Sequence, residues 1–369
     1  MSNPPNLDPD RVSRESDLLD ILLAMLRERL PPGWSAGLRL SPLGLPGTPD
    51  AQLDIRAPDG ETTQVIVEAK LGLEPREVEP LVMGLRRAVV DAGLPLESRN
   101  APLIVARFIS PRARGLLTEQ GASYADATGN IRITTSSPAV FMSDRGSDVN
   151  PWREVRDLRS LKGRSASRVV RALCDLRPPL GVREIAERAG ASIGSTVRAL
   201  DFLEREALIV RDDHKQVIDV ALTPLVLRWA NDFRFTQQND VVEWFEPRRL
   251  SDLVQRLVEV GGIYAVTGSF AANAVAPFAD PRLLAIYSPD PRALAEALGV
   301  RPAAGQTNVW IVRPPDELPL RRSWEQDRIT YAALTQVACD LLDMPGRAPA
   351  EGEELLRWLE THQDEWRAD

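Results

Sequence analysis

Cysteine and histidine are nearly missing from this chain, with two of each in 369 residues. Cys174 and Cys339 lie far apart and without metal-ligand spacing, so zinc centres and disulfide frameworks have no support, and a reducing, cytoplasmic setting is expected. No stretch approaches the ~18 uncharged apolar residues that a membrane span needs, and no early basic-then-apolar segment points to a secretory leader. Lysine is almost as scarce, standing only at Lys70, Lys162 and Lys215. Almost every other cation is therefore arginine, and arginine richness by itself says little about phosphate binding. A lysine where arginine was the common choice is more informative, and Lys70 is one. Apolar residues, at 43%, suffice for two or three ordinary domains.

The net charge of −8 is unevenly spread. From Pro151 to Val220 there are fourteen Lys or Arg against eleven Asp or Glu, about +3, which leaves about −11 for the remainder. The periodicities divide the chain into three blocks, an α/β multi-domain pattern. Block 1–150 opens with an amphipathic helix over Glu15–Leu30, carrying Leu18, Leu19, Ile21, Leu22, Met25 and Leu26. A hairpin follows, Gln52–Ala57 and Thr63–Lys70 around Pro58-Asp59-Gly60, then a helix over Glu77–Ala92. A strand over Pro102–Phe108, a helix over Pro111–Gln120 and two strands within Ala122–Thr134 complete it. The polar turn from Asp126 to Asn130 is read as hairpin structure in preference to a phosphate site. Block 151–222 is helical, then β. Block 223–369 is mixed α/β and closes on a helix from Ala350 to about Trp366.

The middle block carries the clearest motif. A helix over Ser165–Leu176 precedes Val182-Arg-Glu-Ile-Ala-Glu-Arg-Ala-Gly190, where Gly190 permits the left-handed corner between two helices. Ser192 then caps a helix from Ile193 to Glu206. Val197, Leu200, Phe202 and Leu203 are assigned to its buried side, and Ser195, Thr196 and Arg198 to its outer face. Leu208–Arg211 and Gln216–Val220 alternate as a hairpin with Asp212, Asp213, His214 and Lys215 at its tip. This sequence of about sixty residues resembles the winged helix-turn-helix domains of bacterial regulators. The resemblance implies a recognition helix in the major groove of double-stranded DNA. Arg164, Arg168, Ser192, Ser195, Thr196, Arg198, Arg211 and Lys215 are the candidate contacts, and Asp212 and Asp213 argue against a deeply inserted wing.

In the first block, Asp54 on one strand and Glu68-Ala69-Lys70 on the next resemble the PD-(D/E)xK nuclease superfamily. Its chemistry needs paired carboxylates to hold a divalent metal, with a lysine on the same strand face to act on water. Asp54, Glu68 and Lys70 are the candidate catalytic residues, Asp54 and Glu68 the candidate ligands for Mg or Mn, and Glu15 an auxiliary ligand. The superfamily's leading Pro-Asp does not stand at Asp54; Pro49-Asp50 lies four residues earlier. An exposed Glu–Lys ion pair of little energetic value explains the tripeptide equally well, and the skeleton also occurs in proteins that only bind DNA.

In the last block, Ile263–Asn273 reads as a strand, a Gly268-Ser269 corner and a helix, which resembles the entry to a nucleotidyltransferase fold. The next strand, Leu283–Tyr287, has no Asp-x-Asp pair, only Asp280 and Asp290 on either side, so a degenerate, inactive version is expected. Thr267-Gly268-Ser-Phe-Ala271-Ala272, Gln336-Val-Ala-Cys-Asp340 and Pro345-Gly346-Arg347 resemble the type IV abortive-infection antitoxin family from Leu161 onward. That resemblance implies promoter binding, autoregulation and, in some members, neutralisation of a nucleotidyltransferase toxin. The short antitoxins have no nuclease-like first block. The expectation is a sequence-specific DNA-binding regulator of antitoxin type, acting as a homodimer without a cofactor. The alternatives are a Mg- or Mn-dependent nuclease and an antitoxin whose DNA contact is secondary.

Overall fold

The computed structural model describes residues 12–41, 49–91, 102–152 and 160–368. They form a mixed α/β protein divided into two compact units, Met1–Arg156 and Asp157–Asp369.

The first unit contains α1 (Glu15–Arg29), β1 (Ser35–Leu40), β2 (Ala51–Arg56), β3 (Thr62–Lys70), α2 (Val78–Asp91), β4 (Leu103–Ala106), α3 (Pro111–Glu119), β5 (Ser123–Asp126), β6 (Ile131–Ser136) and β7 (Ala139–Asp144). Its seven strands lie in chain order in one sheet. The pairs β3–β4 and β4–β5 are parallel and the rest antiparallel. Helix α1 starts where Asp17 accepts the backbone N–H groups of Ser13 and Arg14 at 3.0 and 2.8 Å, and these bonds hold its carboxyl below the usual range. Strand alternation sorts two cores. Leu53, Val65, Val67 and Val105 pack with the apolar stripe of α1, while Ile66 and Ile104 pack with Val78, Val82 and Leu117 of α2 and α3. Strands β1 and β7 lie at the sheet's two edges, outside the expected set; both are largely exposed, with only Ala36 and Leu38, and Val140 and Met142, packed against the core. The expected α2 terminus at Ala92 lies outside the described residues.

The second unit begins with α4 (Arg164–Asp175), α5 (Val182–Ala189), α6 (Ile193–Arg205), β8 (Ile209–Arg211) and β9 (Val217–Val220). It continues through α7 (Leu222–Phe233), α8 (Phe235–Gln238), β10 (Asp240–Phe245), α9 (Leu250–Val260), β11 (Ala265–Thr267), α10 (Gly268–Asn273), β12 (Leu284–Tyr287), α11 (Pro291–Leu298), β13 (Arg301–Pro302) and β14 (Val309–Arg313). It ends with β15 (Trp324–Gln326), β16 (Ile329–Tyr331), α12 (Leu334–Leu341), α13 (Ala348–Thr361) and α14 (Gln363–Trp366). The long closing helix breaks at His362, whose backbone leaves the helical region. Strands β8 and β9 form a two-stranded sheet, with Leu180 bridged to Val217 of β9, and the other seven form a mixed sheet in the order β13-β10-β14-β12-β11-β16-β15. One apolar core runs through the whole unit, from Leu161 past Trp229 and Tyr287 to Leu359. The boundary expected at 222–223 falls inside that core.

Candidate functional site

The corner between α5 and α6 is built as its residues require. Gly190 adopts φ +61°, ψ +40° and closes α5 through its own N–H. The Ser192 hydroxyl accepts the Ser195 N–H at 3.2 Å and so caps α6. The buried stripe of α6 is Thr196, Ala199, Leu200, Phe202 and Leu203. Two residues therefore exchange faces relative to the sequence reading. Thr196 is fully buried and donates its hydroxyl to the Ser192 carbonyl at 3.0 Å, because positions 196, 199, 200 and 203 share one side of a 3.6-residue period. Val197 turns outward instead, 37% exposed, beside Ile193 at 54%. With Arg198, whose guanidinium donates to the Ser195 hydroxyl at 3.2 Å, they form the outer face of α6.

The remaining candidate cations divide into engaged and presented groups. Arg211 is drawn inward, with 6% of its side chain exposed, and forms ion pairs with Asp201 at 2.7 Å and with Glu204. It ties the hairpin to α6 and does not reach outward. Arg164 and Arg168 approach Asp316 at 3.5 and 3.2 Å, and Arg168 also donates to the Gly190 carbonyl at 3.3 Å. At the hairpin tip Lys215 is exposed with φ +64°. Asp212 turns back to accept the N–H groups of His214 and Gln216 at 3.0 and 2.8 Å, so its carboxylate is occupied in shaping the turn.

In the first unit the strand register changes the choice of acidic residue. Asp54 stands opposite Gln64, four residues from Glu68, and is paired with Arg39 at 2.8 Å. The structure does not bring Asp54 to the Glu68–Lys70 pair. Ala51, the first residue of β2, faces Val67, and Asp50, just before that strand, lies near enough to Glu68 for its charge to act on it. The Asp50 carboxylate accepts the Ala69 N–H at 2.8 Å. Lys70 Nζ lies 2.6 Å from Glu68. Burial pushes the Glu68 carboxyl above its ordinary pKa; the negative charges of Asp50 and Glu15 push the same way, and Lys70 opposes them. Burial disfavours the charged Lys70, but its hydrogen bond to Glu68 and the surrounding carboxylates raise its pKa overall. The sequence signal for Asp50 was the Pro49-Asp50 dipeptide itself. Asp50 and Glu68 are hard oxygen donors of the type Mg or Mn prefers, but each already serves a protein donor. Among the described residues, no three Asp, Glu, His or Cys side chains are arranged to hold a metal ion.

The other singled-out residues are structural. Asp126 is fully buried and accepts from Ile109 N, Thr128 N and Asn130 Nδ2 at 3.0, 2.9 and 2.8 Å. In the second unit two of the three short motifs meet at Asp340, which accepts from the Thr267 hydroxyl at 2.6 Å and Gln336 Nε2 at 2.8 Å, and also from the Tyr287 hydroxyl at 3.0 Å; Arg347 of the third donates to Glu351 at 2.9 Å instead. Gly268 is closely packed, and a Cβ there would lie 3.2 Å from Met344 Sδ. Asp290 caps α11 through the Ala293 N–H at 3.1 Å.

Comparison of this chain with known protein families, with curated proteins and with solved structures finds no match.

Proposed function

We propose that this protein is a sequence-specific DNA-binding regulator, with α4–α6 and the β8–β9 hairpin acting as a winged helix-turn-helix. The observation that carries this reading is the outer face of α6. Directly after a glycine corner and a serine cap, Ile193, Val197 and Arg198 project together from a helix whose opposite side is locked into the core. Aliphatic groups suit thymine methyls, and an arginine suits guanine or phosphate. Lys215 at the hairpin tip adds a backbone contact, while Arg211 serves the fold. Paired half-sites imply a homodimer on DNA, and the antitoxin resemblance supports promoter autoregulation with a toxin as a further partner. The first unit is a restriction-endonuclease-like scaffold in this reading, and block 223–369 a degenerate nucleotidyltransferase-like domain.

The test is a mobility-shift assay with genomic fragments, with and without Mg or Mn. A discrete shift that survives excess nonspecific DNA, with the DNA intact, supports the regulator; no shift by the full chain at low salt removes it. A second reading, metal-dependent DNA cleavage, draws on the proximity of Asp50, Glu68 and Lys70. It requires cutting that depends on added metal and is abolished by Glu68→Gln.

A further inference from the structure

Behind the helix corner, and within the second unit, two adjoining cavities of about 840 and 180 Å³ share the residues Asp175, Arg188 and Arg322. The larger lies in the size range of small-ligand sites, about 300–1,000 Å³. The two ends differ in chemistry. The smaller cavity is walled by Arg168, Arg171, Arg188, Arg321 and Arg322, with Asp175 as its one carboxylate. That aspartate is buried and already engaged, accepting from Arg171 at 3.0 Å and facing Arg322 at 3.6 Å. Asp316 and Glu317, outside the wall, pair with Arg168 and Arg321 at 3.2 and 3.9 Å; the five guanidinium groups still outnumber these three acids, and their planar forks match phosphate oxygens.

The larger end holds Trp324, Trp358 and Trp366, three of the chain's eight tryptophans. All three are half-buried and pack against the margin of the core. Two indole nitrogens are already used, Trp324 Nε1 donating to the Ala332 carbonyl and Trp366 Nε1 to the Leu359 carbonyl, both at 3.0 Å. Ring stacking fixes Trp324 on Tyr331, with centroids 4.6 Å apart, and Trp358 on His362 at 4.5 Å. Trp324, with its nitrogen committed and one face stacked, offers the cavity chiefly aromatic surface held rigid before any ligand arrives; the Trp366 ring offers aromatic surface with its nitrogen likewise committed.

We propose that this composite cavity binds a planar aromatic ring carrying a phosphate, of mononucleotide size, with the ring against the tryptophans and the phosphate among the arginines. The site also reaches the helix corner. A Cβ on Gly190 would lie 3.3 Å from Arg321 Nη1 and 3.7 Å from Arg168 Nη1, and Arg188 belongs to α5. A phosphate that reorients these guanidiniums therefore acts on the α5–α6 corner, and binding of ligand and DNA are coupled reciprocally. Only this coupling rests on the DNA-binding reading, and the ligand is measured without DNA.

The experiment titrates the full chain with AMP by calorimetry and tryptophan fluorescence, with adenosine and inorganic phosphate as separate probes. AMP is expected to bind with a fluorescence change, at least about tenfold more tightly than either half alone. Arg322→Gln and Trp366→Leu, each checked for native circular dichroism, are both expected to weaken it about tenfold. The proposal is overturned by the absence of AMP binding up to about 1 mM, by phosphate binding as tightly as AMP, or by unchanged affinity in both variants. It is also overturned if Arg322→Gln weakens DNA binding while AMP binds neither protein, which assigns the arginines to the DNA backbone.

Discussion

Gly190 holds φ at +61°, a conformation that costs an L-residue about 1–2 kcal/mol. The nearest atom to an added Cβ is the end of a flexible arginine, so the backbone term dominates the cost. Gly190→Ala is expected to lower stability by about that amount, read as a reduced thermal midpoint, and to weaken DNA binding by tilting α6. A native midpoint would remove Gly190 as the reason for the corner. Asp340 makes a different kind of prediction. Burial pushes its carboxyl up to about 7, against the three donors and Arg171 that favour its charge. The folded pKa lies above the unfolded value, so its stabilising contribution is complete below about pH 3.8 and is lost as pH rises toward 7. Denaturant unfolding of the wild type at pH 5 and pH 8 should therefore show a component favouring pH 5 that Asp340→Asn lacks. An identical pH dependence in both proteins would contradict the assignment. Cys174 and Cys339 are fully buried and burial raises both thiols, so neither should react with an aromatic disulfide reagent until the protein unfolds.

Within α6 and its hairpin, two arginines that look alike in the sequence should separate by experiment. Arg198 projects outward and Arg211 is folded onto Asp201 and Glu204. Arg198→Ala is expected to leave stability unchanged and either reduce the salt slope of DNA binding by about 1 or relax preference at one base. Arg211→Ala leaves two carboxylates facing each other and should cost about 1–2 kcal/mol of stability, with DNA affinity falling only as far as folding does. The reverse pattern would mean that the hairpin cation is the contact. This contrast also marks what was legible beforehand. The corner and the cap could be read because Gly190 and Ser192 act through their own backbone neighbourhood. The inward turn of Arg211 could not, because its acidic partners lie on another element, seven and ten residues back. Nor could the approach of Asp50 to Glu68, since a strand register depends on where the hairpin tightens. Arg188, Arg322 and Trp366 gave no local sign of a common cavity, which forms only when α5, β15 and α14 meet.

At the scale of the whole molecule, the placement of the cores predicts which fragments fold. Every residue of the two cores around the first sheet lies before residue 157, and the third core begins at Leu161. A chain of residues 157–369 alone should therefore unfold cooperatively and keep the DNA affinity of α6. Cutting at 222–223 is a different matter. Val169, Val170 and Leu173 of α4 share a core with Leu225, Val226 and Trp229 of α7, so separating them exposes large apolar side chains worth about 1.5–3 kcal/mol each. The polar connections add to this. Arg171 donates to Gln336 at 3.1 Å, Arg367 to the Leu173 carbonyl at 2.9 Å, and Arg177 N to the Ala368 carbonyl at 2.8 Å. The end of the chain thus closes back on the helix that opens the unit, and removing either side strands buried charges. Calorimetry on residues 157–369 and 223–369 decides the point: a sharp transition is expected for the first and a broad, weak one for the second. A sharp transition in 223–369 would show that the helix-turn-helix is an independent module. In that case a ligand in the shared cavity would have no rigid path to the α5–α6 corner.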